Sequence, residues 1–459
     1  MNKQFANFLT EGITNLRISI PLLITSFLQG LSGFTAIMFL AYAGSNILAA
    51  AGLVSNFFIM LTTLYWGCIS AVSILVAQYA GAKANRSINL ALGQGIFLAL
   101  SIAIPSWLIL WGIDHLLFLA KQPLDIIQQA SIYLFATNLS LLPLAILFVF
   151  EQFLIGLSKT RLVLAINLLQ IPLEILLCYL FIFGKWGFPK FGIAGVGYAY
   201  AVVFILAGIA IASYLLINKK LAPYIRNYSA FKFNFQCYKE LIIIGLPVAL
   251  MFCIETSSFV VIAFLMARIA SAAVAAFQIT LQFCDISLML IYAFAQITTV
   301  RVGNLVGENN KSHILLVVKV GLCLCLILGI LIASAFLLFP TTFIHIDVNQ
   351  HNLSPEVIAN ALTFFPILSL FLIIESLRLT IYSALRGLKD TKVPMLISLM
   401  TFWGIAILSG SYLAFYTALS AQGLWFGLVI GSFSATLLLI WRFYYQYKTV
   451  DLIKILKEI

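Results

Sequence analysis

The sequence predicts an all-α polytopic membrane protein: twelve transmembrane helices in two six-helix lobes, related by a pseudo-twofold along the membrane normal. Three observations predict it. Hydrophobic residues make up 63% of the 459 and charged ones only 9%, against roughly 25% charged in a soluble domain. The apolar residues come in continuous runs rather than alternating, and about 20 of them cross the hydrocarbon as a helix, which argues against a transmembrane barrel. Finally, the second half of the chain repeats the first.

The runs fall at 15–41, 47–78, 91–113, 127–150, 162–183, 192–217, 239–267, 271–300, 314–339, 355–383, 393–417 and 422–444. The first of them follows a segment carrying Lys3, Glu11 and Arg17 and is too long for a cleaved signal, so it reads as a membrane span. A basic stretch at 218–238 separates six spans from six, which sets the expected lobes at 1–217 and 239–459 with a linker between them.

The net charge of +11 is explained by topology. One side collects Lys83, Arg86, Lys159, Arg161, Lys219, Lys220, Arg226, Arg301, Lys389, Lys392, Arg442, Lys448 and Lys454 among others. The opposite side has only Lys121, Lys185, Lys190 and Arg268. Lysine and arginine accumulate on the cytoplasmic side. Both termini and the linker are therefore expected inside the cell (plasma or inner) membrane, and no nucleic-acid partner is expected. Of the seven cysteines, six lie in apolar runs, and no C-x-x-C pair occurs, so neither a disulfide framework nor a zinc site is expected.

Sliding the chain by 226 residues lays Ser19–Gly81 on Gly245–Gly307 without a gap: Pro21 falls on Pro247, Ala49-Ala50 on Ala275-Ala276, Phe57 on Phe283 and Gly81 on Gly307. A second match, offset by 231, sets LIGLSKTR at 154–161 against LRGLKDTK at 385–392. Convergent loop composition is the alternative reading of the second match. Because six spans is an even number, the halves enter the membrane the same way round, giving a parallel repeat whose substrate site lies between them.

Ionisable groups at bilayer depth are expensive and mark candidate sites. Glu255 sits near the middle of the seventh run, far from any basic residue of its own helix. Glu375 precedes Arg378 by three residues, which puts the pair on one helical face. Asp285, Gln278 and Gln282 share a face of the eighth run; with Glu255 and Glu375 they would line an acidic, amide-rich cavity in the second half. The VGNLVGENN segment, with two glycines and two asparagines, is expected to break that run. In the first half the mid-span acid is Glu174, with Gln170 four residues before it on the same face. Glu151, about two turns before the LIGLSKTR loop, is expected to reach water.

Absent motifs narrow the class. There is no G-x-x-x-x-G-K-[ST] phosphate loop, H-E-x-x-H or G-x-S-x-G, so the chain is expected to be neither an ATPase nor an enzyme of those types. No cofactor is expected.

Five segments together resemble the multidrug and toxic compound extrusion family, in its NorM-type bacterial branch. They are GLPVALMFCIE (245–255), AAFQITLQF (275–283), RVGNLVGENN (301–310), ALRGLKDTKVPM (384–395) and PLEILLCYLFIFGKWGFPKFGIAGVG (172–197). The resemblance implies twelve helices in two lobes and cation-coupled export of organic compounds. It assigns Glu255 to the family's helix-seven acid, Glu375 to a helix-ten aspartate, Gln278 to a helix-eight glutamine, and Gln170 with Glu174 to an Asn-x-x-x-Asn/Asp pair in helix five. There are departures. Thr35 or Ala36 replaces a helix-one aspartate, Phe371 a sodium-site tyrosine, and Arg378 a glutamine.

The expected function is antiport that expels amphipathic, cationic organic solutes, driven by H⁺ in preference to Na⁺, by a monomer in the lipid bilayer. A sodium ion has possible seats at Gln170 and Glu174 or at Glu255 and Glu375. The alternatives are a lipid-linked precursor flippase of the same superfamily, for which Arg378 is the mid-span cation, and an intramembrane enzyme, for which no nucleophile–base constellation is found.

Overall fold

A computed structural model describes residues 3–43, 45–111, 124–219, 221–224, 232–347 and 354–449. Lys121, Lys220, Arg226 and Lys454 lie outside them. The helices are α1 (Lys3–Ala43), α2 (Ser45–Ile69), α3 (Ala71–Gly81), α4 (Asn85–Trp111), α5 (Leu124–Gly156), α6 (Thr160–Phe183) and α7 (Ala194–Ile217). A short 3₁₀ turn (Ala222–Tyr224) follows. Then come α8 (Phe235–Ala267), α9 (Ser271–Gly307), α10 (Lys311–Leu338), α11 (Pro340–Asp347), α12 (Pro355–Gly387), α13 (Lys392–Tyr416) and α14 (Ala421–Thr449). Among the described residues, twelve stretches are long and apolar enough to cross a membrane, one for each run above. α2 and α3 form one span broken at Ser70, whose hydroxyl donates to Gly67 O (2.7 Å).

The chain forms two compact units: residues 24–249, and residues 1–23 together with 250–458. Each crossing from one unit to the other comes two residues after a proline, Pro21 in α1 and Pro247 in α8. In the 24–249 unit, Gln94 on α4 donates to Lys232 O (2.9 Å) and accepts from Asn234 N–H (3.1 Å), which fastens the end of the basic stretch. In the other unit, Arg301 on α9 grips Glu11 on α1 through two bonds of 2.8 Å. An aromatic cluster of Phe283, Phe336, Phe343 and Phe365 packs α9, α10, α11 and α12 together, with ring centroids 4.8–6.3 Å apart.

The backbone carries the repeat at both offsets. α3, α5, α9 and α12 all end on a glycine, and the second residue after it is left-handed: Lys83 (φ 56°), Ser158 (φ 58°), Asn309 (φ 56°) and Lys389 (φ 62°). At every one the following N–H reaches back to the carbonyl five residues earlier: Ala84 to Tyr79, Lys159 to Leu154, Asn310 to Leu305 and Asp390 to Leu385, at 2.8–3.0 Å. This double cap satisfies carbonyls that the helix end leaves open. The side-chain packing repeats too. A methyl on Gly156 would lie 2.8 Å from Val76 Cβ and 2.9 Å from Ser73 O; on Gly387 it would lie 2.7 Å from Val302 Cβ and 2.9 Å from Thr299 O. Val76 and Val302, like Ser73 and Thr299, are 226 positions apart. Shared loop composition alone does not generate matching interhelical contacts.

The VGNLVGENN segment ends the eighth helix at its second glycine and not at its first: Gly303 is a buried helical position, α9 stops at Gly307, and left-handed Asn309 turns the chain.

Candidate functional site

In the unit that contains residues 250–458, four helices converge on one guanidinium. Glu375 and Arg378 lie one turn apart on α12, and Arg378 Nε and Nη2 donate to Glu375 Oε1 (2.7 Å) and Oε2 (2.8 Å). Glu255 on α8 takes the other edge, with Nη1 to Oε1 at 2.6 Å and Nη2 to Oε2 at 2.9 Å. Ser398 on α13 donates to Glu255 Oε1 (3.0 Å), and Ser432 on α14 donates to Glu375 Oε1 (2.5 Å). The side chains of Arg378, Glu255 and Glu375 are 2%, 11% and 1% exposed, so the cluster is nearly dry.

Local sequence explains the arrangement. α13 widens into a π-helical stretch at Leu399–Ala406, directly after Ser398. Such stretches recur at functional sites because they redirect side chains. Here Phe402 lies under the guanidinium at 5.1 Å, and Trp403 Nε1 donates to Ile254 O (3.1 Å), tying α13 to the turn that bears Glu255.

The 24–249 unit holds a second cluster without a cation. Ser32 on α1 donates to Glu174 Oε1 on α6 (2.7 Å). Asn167, on the same face of α6, donates to Glu151 Oε1 on α5 (2.9 Å) and accepts from Gln29 on α1 (3.2 Å). Gln170 is buried between Asn167 and Glu174 in sequence, and its Oε1 has no hydrogen-bond partner. No lysine, arginine or histidine pairs with either acid among the described residues. A buried charge bonded only to neutral groups is costly to maintain, which favours binding a proton or a cation. Glu151 does not reach water as expected: it is 8% exposed, because Asn167 of α6 covers it.

The sequence-derived residues therefore separate into three groups. Glu255, Glu375 and Arg378 meet; Glu174 and Gln170 share the second cluster. Asp285, Gln278 and Gln282 share a face of α9 as read from spacing, but that face is exposed, and none of them bonds to the acid cluster. The buried side of α9 at these turns carries Phe277, Thr280, Cys284 and Ser287 instead.

Sequence reasoning missed Gln29, Ser32, Asn167, Ser398 and Ser432. For Asn167 a signal existed, since it precedes Gln170 and Glu174 by three and seven residues on one face. The serines gave none, because a helical serine ordinarily bonds its own backbone, as Ser258 does to Glu255 O (2.6 Å).

Among the described residues, twelve helices of membrane-spanning length with carboxylates on their buried faces define a polytopic membrane protein. The chain belongs to the MatE family, whose profile matches residues 21–180 and 247–412 and so covers both halves. A probable multidrug resistance protein NorM of Brucella suis biovar 1 is 30% identical over 435 residues, covering 92% of this chain and 90% of that protein. The multidrug resistance protein NorM of Burkholderia vietnamiensis is 28% identical over 442 residues, covering 95% and 94%. Among solved structures, the eukaryotic MATE transporter AtDTX14 matches in fold with a TM-score of 0.85 at 20% identity, over 98% of each chain. The protein is thus a multi-pass membrane protein of the MATE/NorM multidrug efflux transporter family.

Proposed function

We propose that this chain is a secondary antiporter that expels amphipathic, cationic organic compounds by alternating access, coupled to inward H⁺ in preference to Na⁺. In this reading it works as a monomer in the cell membrane with both termini cytoplasmic, and lobes 1–217 and 239–459, joined by 218–238, exchange access to the cargo. The observation that carries the reading is the cation-free cluster, in which Glu174 and Glu151 are buried and, among the described residues, bonded to the neutral side chains of Ser32, Gln170 and Asn167. An ionised Glu174 attracts a cationic cargo, and a protonated one releases it. Coupling follows if the ion binds the two access states with different affinity.

The proton is favoured because it needs one carboxylate, whereas a hard metal cation takes several oxygen ligands. The helix-one aspartate of the family is absent, and Thr35 turns its hydroxyl to Leu31 O (2.7 Å). Within this cluster, the unbonded Oε1 of Gln170 is an oxygen that favours sodium. The flippase reading is weakened, since Arg378 spends its donors on two glutamates and offers none of those to a lipid phosphate.

The test is efflux of a fluorescent cation from proteoliposomes at fixed membrane potential, with a pH or a sodium gradient imposed alone. The pH gradient is expected to drive wild-type efflux, and Glu174→Gln to reduce it at least about tenfold, the loss of one charge-assisted contact. Efflux driven by sodium alone and indifferent to a pH jump would overturn the proton assignment and point to Gln170 and Glu174 as a sodium seat.

A further inference from the structure

The Glu255–Arg378–Glu375 cluster has a property that neither acid shows by itself. All four carboxylate oxygens accept a hydrogen bond from Arg378, and two of them accept a second from Ser398 or Ser432. The guanidinium presents both of its edges to carboxylates and shares Nη2 between them. Phe402 closes one face at 5.1 Å. Phe371, on α12 one turn before Glu375, is buried and supplies no oxygen.

We propose that Arg378 is the resident cation of this acid pair: a specificity-determining residue that closes the pair to sodium ions and to the cationic groups of cargo. The inference rests on the exporter reading only for its functional meaning; the occupancy it describes is a matter of equilibrium binding.

The physical case is one of geometry and charge. A planar guanidinium matches two carboxylates side by side in a way that an ammonium or a metal ion does not. A sodium ion entering the pair has to take oxygens whose lone pairs already point at Arg378 or at serine hydroxyls. Displacing Arg378 would leave a guanidinium in a dry interior, which is more costly than leaving the pair intact. Arg378 is also tethered: its partner Glu375 is one turn away on the same helix, so it competes with every dissolved cation at high effective concentration. Where a glutamine stands at this place, no such competitor exists.

The experiment uses purified full-length protein in detergent. Binding of tetraphenylphosphonium is followed by tryptophan fluorescence, and sodium binding by the shift in unfolding temperature when sodium chloride replaces choline chloride at constant ionic strength. Arg378→Gln frees both acids but doubles the uncompensated charge and risks misfolding. Glu375→Gln with Arg378→Gln keeps the net charge of the cluster at its original value and frees Glu255, so it keeps the question open to test.

The expected results are a wild-type unfolding temperature that is the same in both salts, a sodium-dependent rise in the double variant, and about tenfold tighter tetraphenylphosphonium binding there. Arg378→Lys keeps the charge without the fork and is expected to fall between the two. A wild-type sodium response that Glu255→Gln abolishes would overturn the proposal. So would a folded double variant that binds neither cation better than wild type. None of these measurements needs transport, so a failed efflux assay and a failed binding result are separable.

Discussion

The two units solve one problem, a pair of buried acids, in opposite ways. In residues 24–249 the acids Glu151 and Glu174 have only amide and hydroxyl partners. In residues 250–458 the acids Glu255 and Glu375 share a guanidinium. The repeat makes the contrast sharp, since Gln29 stands 226 residues before Glu255 and Ser32 before Ser258. At one position the first half carries a neutral amide that holds Asn167, and the second half a carboxylate that holds Arg378. At the other, Ser32 reaches across to Glu174 while Ser258 turns back to its own helix. The same scaffold thus carries one buried acid pair bonded to neutral side chains and one with a guanidinium between its two carboxylates.

The largest effect should come from breaking that difference directly. Arg378→Met strands two buried carboxylates and is expected to cost about 3–5 kcal/mol, the usual penalty for removing one partner of a buried ion pair. Glu174→Gln should cost below about 1 kcal/mol, because an amide oxygen still accepts the Ser32 hydroxyl. Chemical or thermal unfolding of both variants in detergent measures the gap. Equal losses would mean that the first cluster is as structural as the second.

A smaller effect tests whether the two halves are equivalent in packing while they differ in charge. Gly156→Ala and Gly387→Ala press a methyl into corresponding contacts and should each destabilise by about 1–3 kcal/mol, by similar amounts. A large inequality between them would show that the repeat is not carried into the energetics.

The smallest effect concerns Glu11 and Arg301, whose side chains are 13% and 23% exposed. Glu11→Gln should cost about 1 kcal/mol or less, and the loss should shrink further in high salt. A salt-independent loss of several kcal/mol would mark it instead as a buried pair like that of Arg378.

Much of this architecture was readable before any coordinates. Hydropathy located all twelve spans because each must match the thickness of the hydrocarbon. The offsets of 226 and 231 located the repeated helix ends because their glycine spacing is local. Spacing also paired Glu375 with Arg378, three residues apart on one helix. What spacing could not supply was the direction in which a face points. Gln278, Gln282 and Asp285 do share a face, yet α9 is rotated so that this face is exposed.

The sequence by itself therefore determined the all-helical membrane class, the number and approximate positions of the spans, the internal repeat and the acids worth watching. Those properties follow from the bilayer's demand for apolar length and internal hydrogen bonding. Only the tertiary structure decided that Arg378 also grips Glu255, 123 residues away in the chain, and that Ser398 and Ser432 complete the cluster. It alone put Asn167 over Glu151 and Ser32 against Glu174. Helical periodicity fixes which side chains travel together, while the rotation of each helix against its neighbours is set by packing, and packing decides which polar groups meet.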